Sequence, residues 1–304
     1  MATTALPSPY AERIARVPVR VQEVAVRGTV TPVRTYGPAG ARHRVVFLHG
    51  LRGDHHGLEP IVAHLGALEV VVPELPGFGA AAPMPADRHD IAGYAAWTRE
   101  LLAAVDPGGD AVLAGHSFGS IVAAAAVAGG ARPRALVLVN PIATSALAGP
   151  HRVLTKLTVL HHRLAAALPE RAGTWLLRNR LVTRIASVAM VTTRDRGLRR
   201  WIHAEHDRYF GGFAGRRNLL ESFHASVSHD VAEFAADVPV PTLLVAAELD
   251  DIAPRAAQEA LRPRFPDARL VVVPGTGHLA HYEAPREVAA AIAEFVGSAT
   301  GSAR

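Results

Sequence analysis

The chain has 304 residues, 49% of them hydrophobic and 19% charged, a balance that supports a folded body with a large core and excludes a disordered chain. It contains no cysteine, so disulfides, thiolate metal sites and a cysteine nucleophile are excluded, and nothing calls for an oxidising compartment. The formal charge of +5 invites a nucleic-acid reading, but basic low-complexity tails are missing and aromatics make up only 6%, so nucleic acid is not an expected partner.

The first twenty residues carry Pro7, Pro9 and Pro18 among charges and have no apolar run, which is not the pattern of a secretory signal. No stretch of 18 uncharged apolar residues follows, so stable membrane insertion is not expected and a cytoplasmic location is. Strands are expected at 19–26, 30–36, 44–49, 68–73, 111–115, 135–140, 242–247 and 269–274. The first two, joined near Gly28, read as an antiparallel hairpin. Val45-Val46-Phe47-Leu48, Val70-Val71-Val72 and Leu136-Val137-Leu138-Val139 are continuously apolar rather than alternating, as strands of a parallel sheet covered on both faces must be. Helical patterns at 90–105, 118–128, 255–264 and 285–296 lie between them. The expectation is an α/β fold, a mostly parallel sheet of about eight strands flanked by helices. In such sheets the ligand site lies beyond the carboxyl ends of the strands.

Between residues 141 and 230 the strand pattern stops. Val153, Leu157, Leu160, Leu164 and Leu168 fall at helical spacing, as do Leu219, Leu220, Phe223 and Val227. This block reads as a helical lid inserted into a core made of 1–140 and 231–304. It holds 14 Arg or Lys against 6 Asp or Glu, whereas the remainder holds 18 against 21. Arg178, Arg180, Arg184, Arg199 and Arg200 are thus candidates for attracting anionic substrates or a lipid surface, with solvated helix faces as the alternative.

The 111–115 strand runs into Gly115-His116-Ser117-Phe118-Gly119 and then a helix, the strand-turn-helix context in which a central serine is exposed at a helix amino end. A serine nucleophile needs a base, and the base an orienting acid. The 242–247 strand ends in Glu248-Leu249-Asp250-Asp251-Ile252-Ala253-Pro254, and the 269–274 strand in Gly275-Thr276-Gly277-His278; both loops should emerge on the serine's side of the sheet. Ser117, Asp250 and His278 are the expected catalytic residues, with Asp251 competing with Asp250 and His281 with His278.

These pieces, together with His49-Gly50, Pro76-Gly77-Phe78-Gly79 and Glu283-x-Pro285, resemble the α/β-hydrolase family in its lid-bearing serine hydrolase branch, over nearly the whole chain. The resemblance implies an oxyanion hole made by the backbone N–H groups of Leu51 and Phe118, with His49, Gly50, Gly115 and Gly119 as supporting motif positions and His49 as a brace for the loop. It implies hydrolysis of a small carboxylic ester, hydrophobic or anionic, with no cofactor. Thioesterase, amidase, carbon–carbon hydrolase and cofactor-free haloperoxidase chemistries share the fold and stay open, as does a non-catalytic ligand-binding member. Asn140, at a position where some relatives carry the acid, leaves that alternative without a carboxylate.

Of the 16 histidines, His55-His56, His161-His162 and His203-Ala204-Glu205-His206 are the arrangements closest to a metal site. None has the H-E-x-x-H spacing or an aspartate-rich partner, so no metal is expected and the last pair reads as a polar helix face. Phe78, Trp97, Phe118, Trp175, Trp201 and Phe213 read as core or lid-packing aromatics. The oligomeric state is open.

Overall fold

The computed structural model describes residues 6–145 and 152–301, with side chains over 6–145 and 156–299. Residues 1–5 of the amino terminus, residues 146–151 of the expected insertion and the side chain of Val153 lie outside this description.

In chain order the elements are α1 (Ala11–Ile14), β1 (Val19–Val26), β2 (Thr29–Tyr36), β3 (Arg44–Leu48), α2 (Glu59–Val62), β4 (Glu69–Pro73), α3 (Ile91–Val105), β5 (Val112–His116), α4 (Phe118–Ala128) and β6 (Ala135–Val139). There follow α5 (Arg152–Ala167), α6 (Glu170–Leu177), α7 (Arg180–Met190), α8 (Arg196–Tyr209) and α9 (Arg216–Ser228). The chain closes with β7 (Thr242–Ala247), α10 (Arg255–Leu261), β8 (Ala268–Val273), α11 (Ala280–Glu283) and α12 (Pro285–Gly301).

The strands form one eight-stranded sheet in the order β1-β2-β4-β3-β5-β6-β7-β8. β4, β3 and β5 to β8 run parallel, and the β1–β2 hairpin joins β4 antiparallel. The hairpin turns at Arg27 and Gly28, whose φ values of 51° and 74° match the right-handed twist of the strands it joins.

The continuous apolar runs are explained by the two faces. Val46, Leu48, Leu113 and Leu138 pack into one cluster with α3 and α4, while Val45, Phe47, Val112 and Val137 pack into a second with α2 and α12. Alternate residues of each central strand thus serve opposite cores, and neither face is left for water. Helix α3 starts where the Asp90 carboxylate accepts the Gly93 N–H at 3.0 Å.

Helices α5 to α9 all lie between β6 and β7 in the chain. This helical segment is tied to the rest of the chain at Phe213, which bridges Phe78, and at Asn218, whose side-chain amide donates to the Gly77 carbonyl at 2.8 Å.

Candidate active site

The chain passes from β5 into α4 with only Ser117 between them. Ser117 sits at φ 53°, ψ −118°, a conformation that costs an L-residue about 1–3 kcal/mol and persists only where the surroundings enforce it. Here the buried strand and the buried helix on either side do so. The flanking glycines are required by space. A Cβ on Gly115 would lie 2.2 Å from the Gly119 carbonyl oxygen, and one on Gly119 2.6 Å from the His49 carbonyl oxygen. Both obstacles are backbone and cannot swing aside.

Ser117 Oγ lies 2.8 Å from His278 Nε2, and His278 Nδ1 lies 2.8 Å from Asp250 Oδ2. The Asp250 carboxylate is buried, which raises its pKa. The His278 ring, the Ala253 N–H and the Asn140 amide outweigh that burial and hold it below the usual carboxylate range. An ionised Asp250 accepts only, so His278 carries its proton on Nδ1 and leaves Nε2 free to accept from the serine hydroxyl. Asp250 Oδ1 also takes the N–H groups of Ile252 and Ala253, each at 2.9 Å, which fixes the rotamer. Asp251 points out into solvent instead. His281, the competitor of His278, is buried with its ring 4.0 Å from that of His116 and is bonded to neither Ser117 nor Asp250 among the described residues.

Gly50 borders the serine, since a Cβ there would come within 3.4 Å of Ser117 Cβ. The next N–H, that of Leu51, and the N–H of Phe118 at the first position of α4 find no acceptor among the described residues. His49 holds this loop from behind. Its Nε2 accepts the Leu75 N–H at 2.9 Å, so its Nδ1 is the protonated nitrogen and donates to the Gly50 carbonyl at 2.8 Å.

The sequence profile described as "Alpha/beta hydrolase family" matches residues 45–291. The chain belongs to this family. Among curated proteins it is 27% identical over 209 residues, 65% of this chain and 69% of the other, to a Klebsiella pneumoniae protein named as a carbamate hydrolase, RutD. Among solved structures, a thermophilic esterase from Thermogutta terrifontis superposes with a TM-score of 0.71 at 21% identity, covering 92% of this chain and 99% of that one. The enol-lactonase of Burkholderia xenovorans superposes with a TM-score of 0.73 at 20% identity, covering 91% and 100%.

Three features of this α/β hydrolase were not read from the sequence. Asn140, at φ 46° beyond β6, donates its amide to Asp250 Oδ2 at 2.8 Å, so the position that lacks a carboxylate helps to hold the Asp250 carboxylate in place. Arg52, one residue after Leu51, donates from Nε to the Phe210 carbonyl at 2.9 Å and from Nη2 to the Leu177 carbonyl at 3.0 Å. Those carbonyls are at the carboxyl ends of α8 and α6, where a cation is favoured. Burial lowers the Arg52 pKa to about 10. Glu283 accepts the Thr192 and Thr193 N–H groups at 2.6 and 2.9 Å and so ties the segment after α7 to the loop that carries His278. A Cβ on Gly277 would lie 2.0 Å from Thr192 Oγ1, so any larger residue there must displace the Thr192 side chain.

Other expectations need correction. His203 and His206 are not a polar helix face; both are buried, with Nδ1 atoms 2.6 and 2.7 Å from Ser187 Oγ. A hydroxyl that can donate and accept serves both Nδ1 atoms at once, while His206 Nε2 stays buried without a partner among the described residues, and helix spacing alone could not place that serine. Trp97, Trp201, Phe78, Phe118 and Phe213 are core as expected, but Trp175 is exposed. His55 and His56, with Asp54, bring three potential ligand atoms within 4.8 Å, yet they are engaged with neighbours: Asp54 Oδ1 with the His56 N–H at 2.9 Å, and His55 Nδ1 with Glu74 at 2.7 Å.

Burial governs three histidines of this α/β hydrolase in particular. It lowers His116 and His206 to about 3 and takes His281 well below its ordinary value, so all three are neutral in the folded protein near pH 7. Unfolded histidine takes a proton near pH 6.5. Stability from these groups is therefore complete above about pH 6.5 and is lost progressively as pH falls from there toward about 3, because only the unfolded chain binds the protons. The melting temperature should be nearly constant from about pH 7.5 to 7 and drop steadily below about 6.5. A melting temperature unchanged down to about pH 4 contradicts this.

Proposed function

We propose that this α/β hydrolase cleaves a carboxylic ester through an acyl-enzyme on Ser117. The observation that carries the reading is the hydrogen-bonded line from Ser117 Oγ through His278 to Asp250, both steps 2.8 Å, beside two unengaged amides. His278 Nε2 takes the hydroxyl proton as Ser117 attacks the ester carbonyl. The oxyanion is received by the N–H groups of Leu51 and Phe118, and Asp250 stabilises the imidazolium. His278 then gives that proton to the leaving alcohol. In the second half it takes a proton from water, which attacks the acyl carbon, and then returns that proton to Ser117 Oγ as the acid leaves.

In this reading residues 1–140 and 231–304 form the catalytic core and 141–230 a helical lid. The contacts from Arg52, Glu283 and Gly277 to the insertion support that division. The esterase and enol-lactonase neighbours share the fold and are compatible with ester chemistry. The relative named as a carbamate hydrolase supports a second reading, the same acyl transfer on a carbamate. Nitrophenyl esters of increasing acyl length, run beside a matched nitrophenyl carbamate, separate the two. Faster turnover of at least one ester is expected; turnover of the carbamate alone gives the second reading its substrate.

A further inference from the structure

The spacing of Leu157, Leu160, Leu164 and Leu168 suggests a buried stripe, but all four face solvent. Their steps of three and four residues keep them on one side of α5. The next helix, α6, exposes Trp175, and α7 exposes Leu181, Ile185 and Val188, again at helical spacing. Trp175 is 69% exposed and the other seven between 41% and 67%. Seven of the fifteen large apolar side chains exposed among the described residues therefore fall on three consecutive helices, and an eighth, Leu168, directly follows the first of them. Large apolar side chains left in water in that number are costly and mark a site of association.

The charge on the same helices is one-sided. Residues 152–190 include seven Arg or Lys and a single carboxylate, Glu170. Arg184 is bonded to Asp207, whereas Lys156, Arg163, Arg171 and Arg180 are exposed and in no ion pair among the described residues. Interfacial helices combine these two features, with leucine and tryptophan entering the acyl boundary and arginine meeting headgroup phosphates. A second copy of the chain would offer the apolar contact but oppose it with the same positive charge. An anionic lipid surface satisfies both. No helix among the described residues is long and apolar enough to cross a membrane, so the contact is peripheral.

We propose that the exposed faces of α5, α6 and α7 dock this protein on the surface of an anionic lipid bilayer. The docking is a binding property, independent of which bond Ser117 cleaves, and is measured without turnover. Trp97 and Trp201 are buried, so Trp175 reports directly on insertion.

The test uses the full chain with vesicles of phosphatidylcholine alone or mixed with phosphatidylglycerol, followed by co-sedimentation and tryptophan emission. Binding to the mixed vesicles should be at least about tenfold tighter than to phosphatidylcholine and weaken with salt, with a blue shift quenched by brominated acyl chains. Trp175→Phe should remove most of the spectral change while leaving substantial binding. A combined Leu160→Asp, Leu164→Asp and Ile185→Asp variant should lose about tenfold or more in affinity. A combined Arg163→Glu, Arg171→Glu and Arg180→Glu variant should lose the preference for anionic lipid. Unchanged melting of both variants shows that the fold is kept; should either melt early, the emission and brominated-lipid quenching of the wild-type protein decide alone. Equal binding to both vesicle types, or none, overturns the proposal. So does a stable dimer that the leucine variant dissociates in a protein that ignores vesicles, which assigns the face to a second copy.

Discussion

Replacing Ser117 by alanine should lower kcat/KM for a turned-over ester by about 10^4-fold or more, leaving only what binding and the oxyanion amides provide. The expectation follows from position. Ser117 is held at φ 53° between a buried strand and a buried helix, with its hydroxyl 2.8 Å from the free nitrogen of His278. The substitution removes one oxygen and leaves both glycine contacts untouched, so the fold should survive, and an unchanged melting curve would show that the loss is chemical. Near-native ester hydrolysis by the alanine variant would remove Ser117 from the mechanism.

Asp250→Asn should cost about 10^4-fold in kcat, while Asp251→Asn should stay within a few-fold of the native enzyme. The two neighbours differ in what they reach. Asp250 is buried and meets His278, Asn140 and the N–H groups of Ile252 and Ala253, whereas Asp251 is turned to solvent. An amide at position 250 either offers its carbonyl to His278 Nδ1–H and surrenders a charge, or offers its NH2 and forces the proton onto Nε2. In that second case the serine loses its acceptor. Comparison of kcat for the two variants decides, and a greater loss at position 251 would exchange their roles.

Much of this architecture was legible because its causes are local. A strand apolar at every position can only be buried on both faces, and Val45-Val46-Phe47-Leu48 divides its residues between two clusters as that demands. The turn at Ser117 was legible because Gly115 and Gly119 answer a steric requirement of the turn itself. Strand ends then carried Asp250 and His278 to the same edge as Ser117. What could not be read depends on distant partners. Nothing in the sequence near Asn140 says that its amide will meet a carboxylate 110 positions later, or that Arg52 will meet the ends of two helices. The leucines of α5 show the other limit: their spacing identifies an apolar helix face but not whether the protein covers it.

The central claim is that Ser117 is an activated nucleophile, and trapping it covalently tests this most directly. The native protein treated with a fluorophosphonate, digested and mapped by mass spectrometry should carry a single adduct on Ser117, formed in step with loss of esterase activity. The Ser117→Ala protein should carry none. Rapid, stoichiometric labelling of another residue in the folded protein, or hydrolysis that persists in protein left unlabelled by excess reagent, would contradict the account.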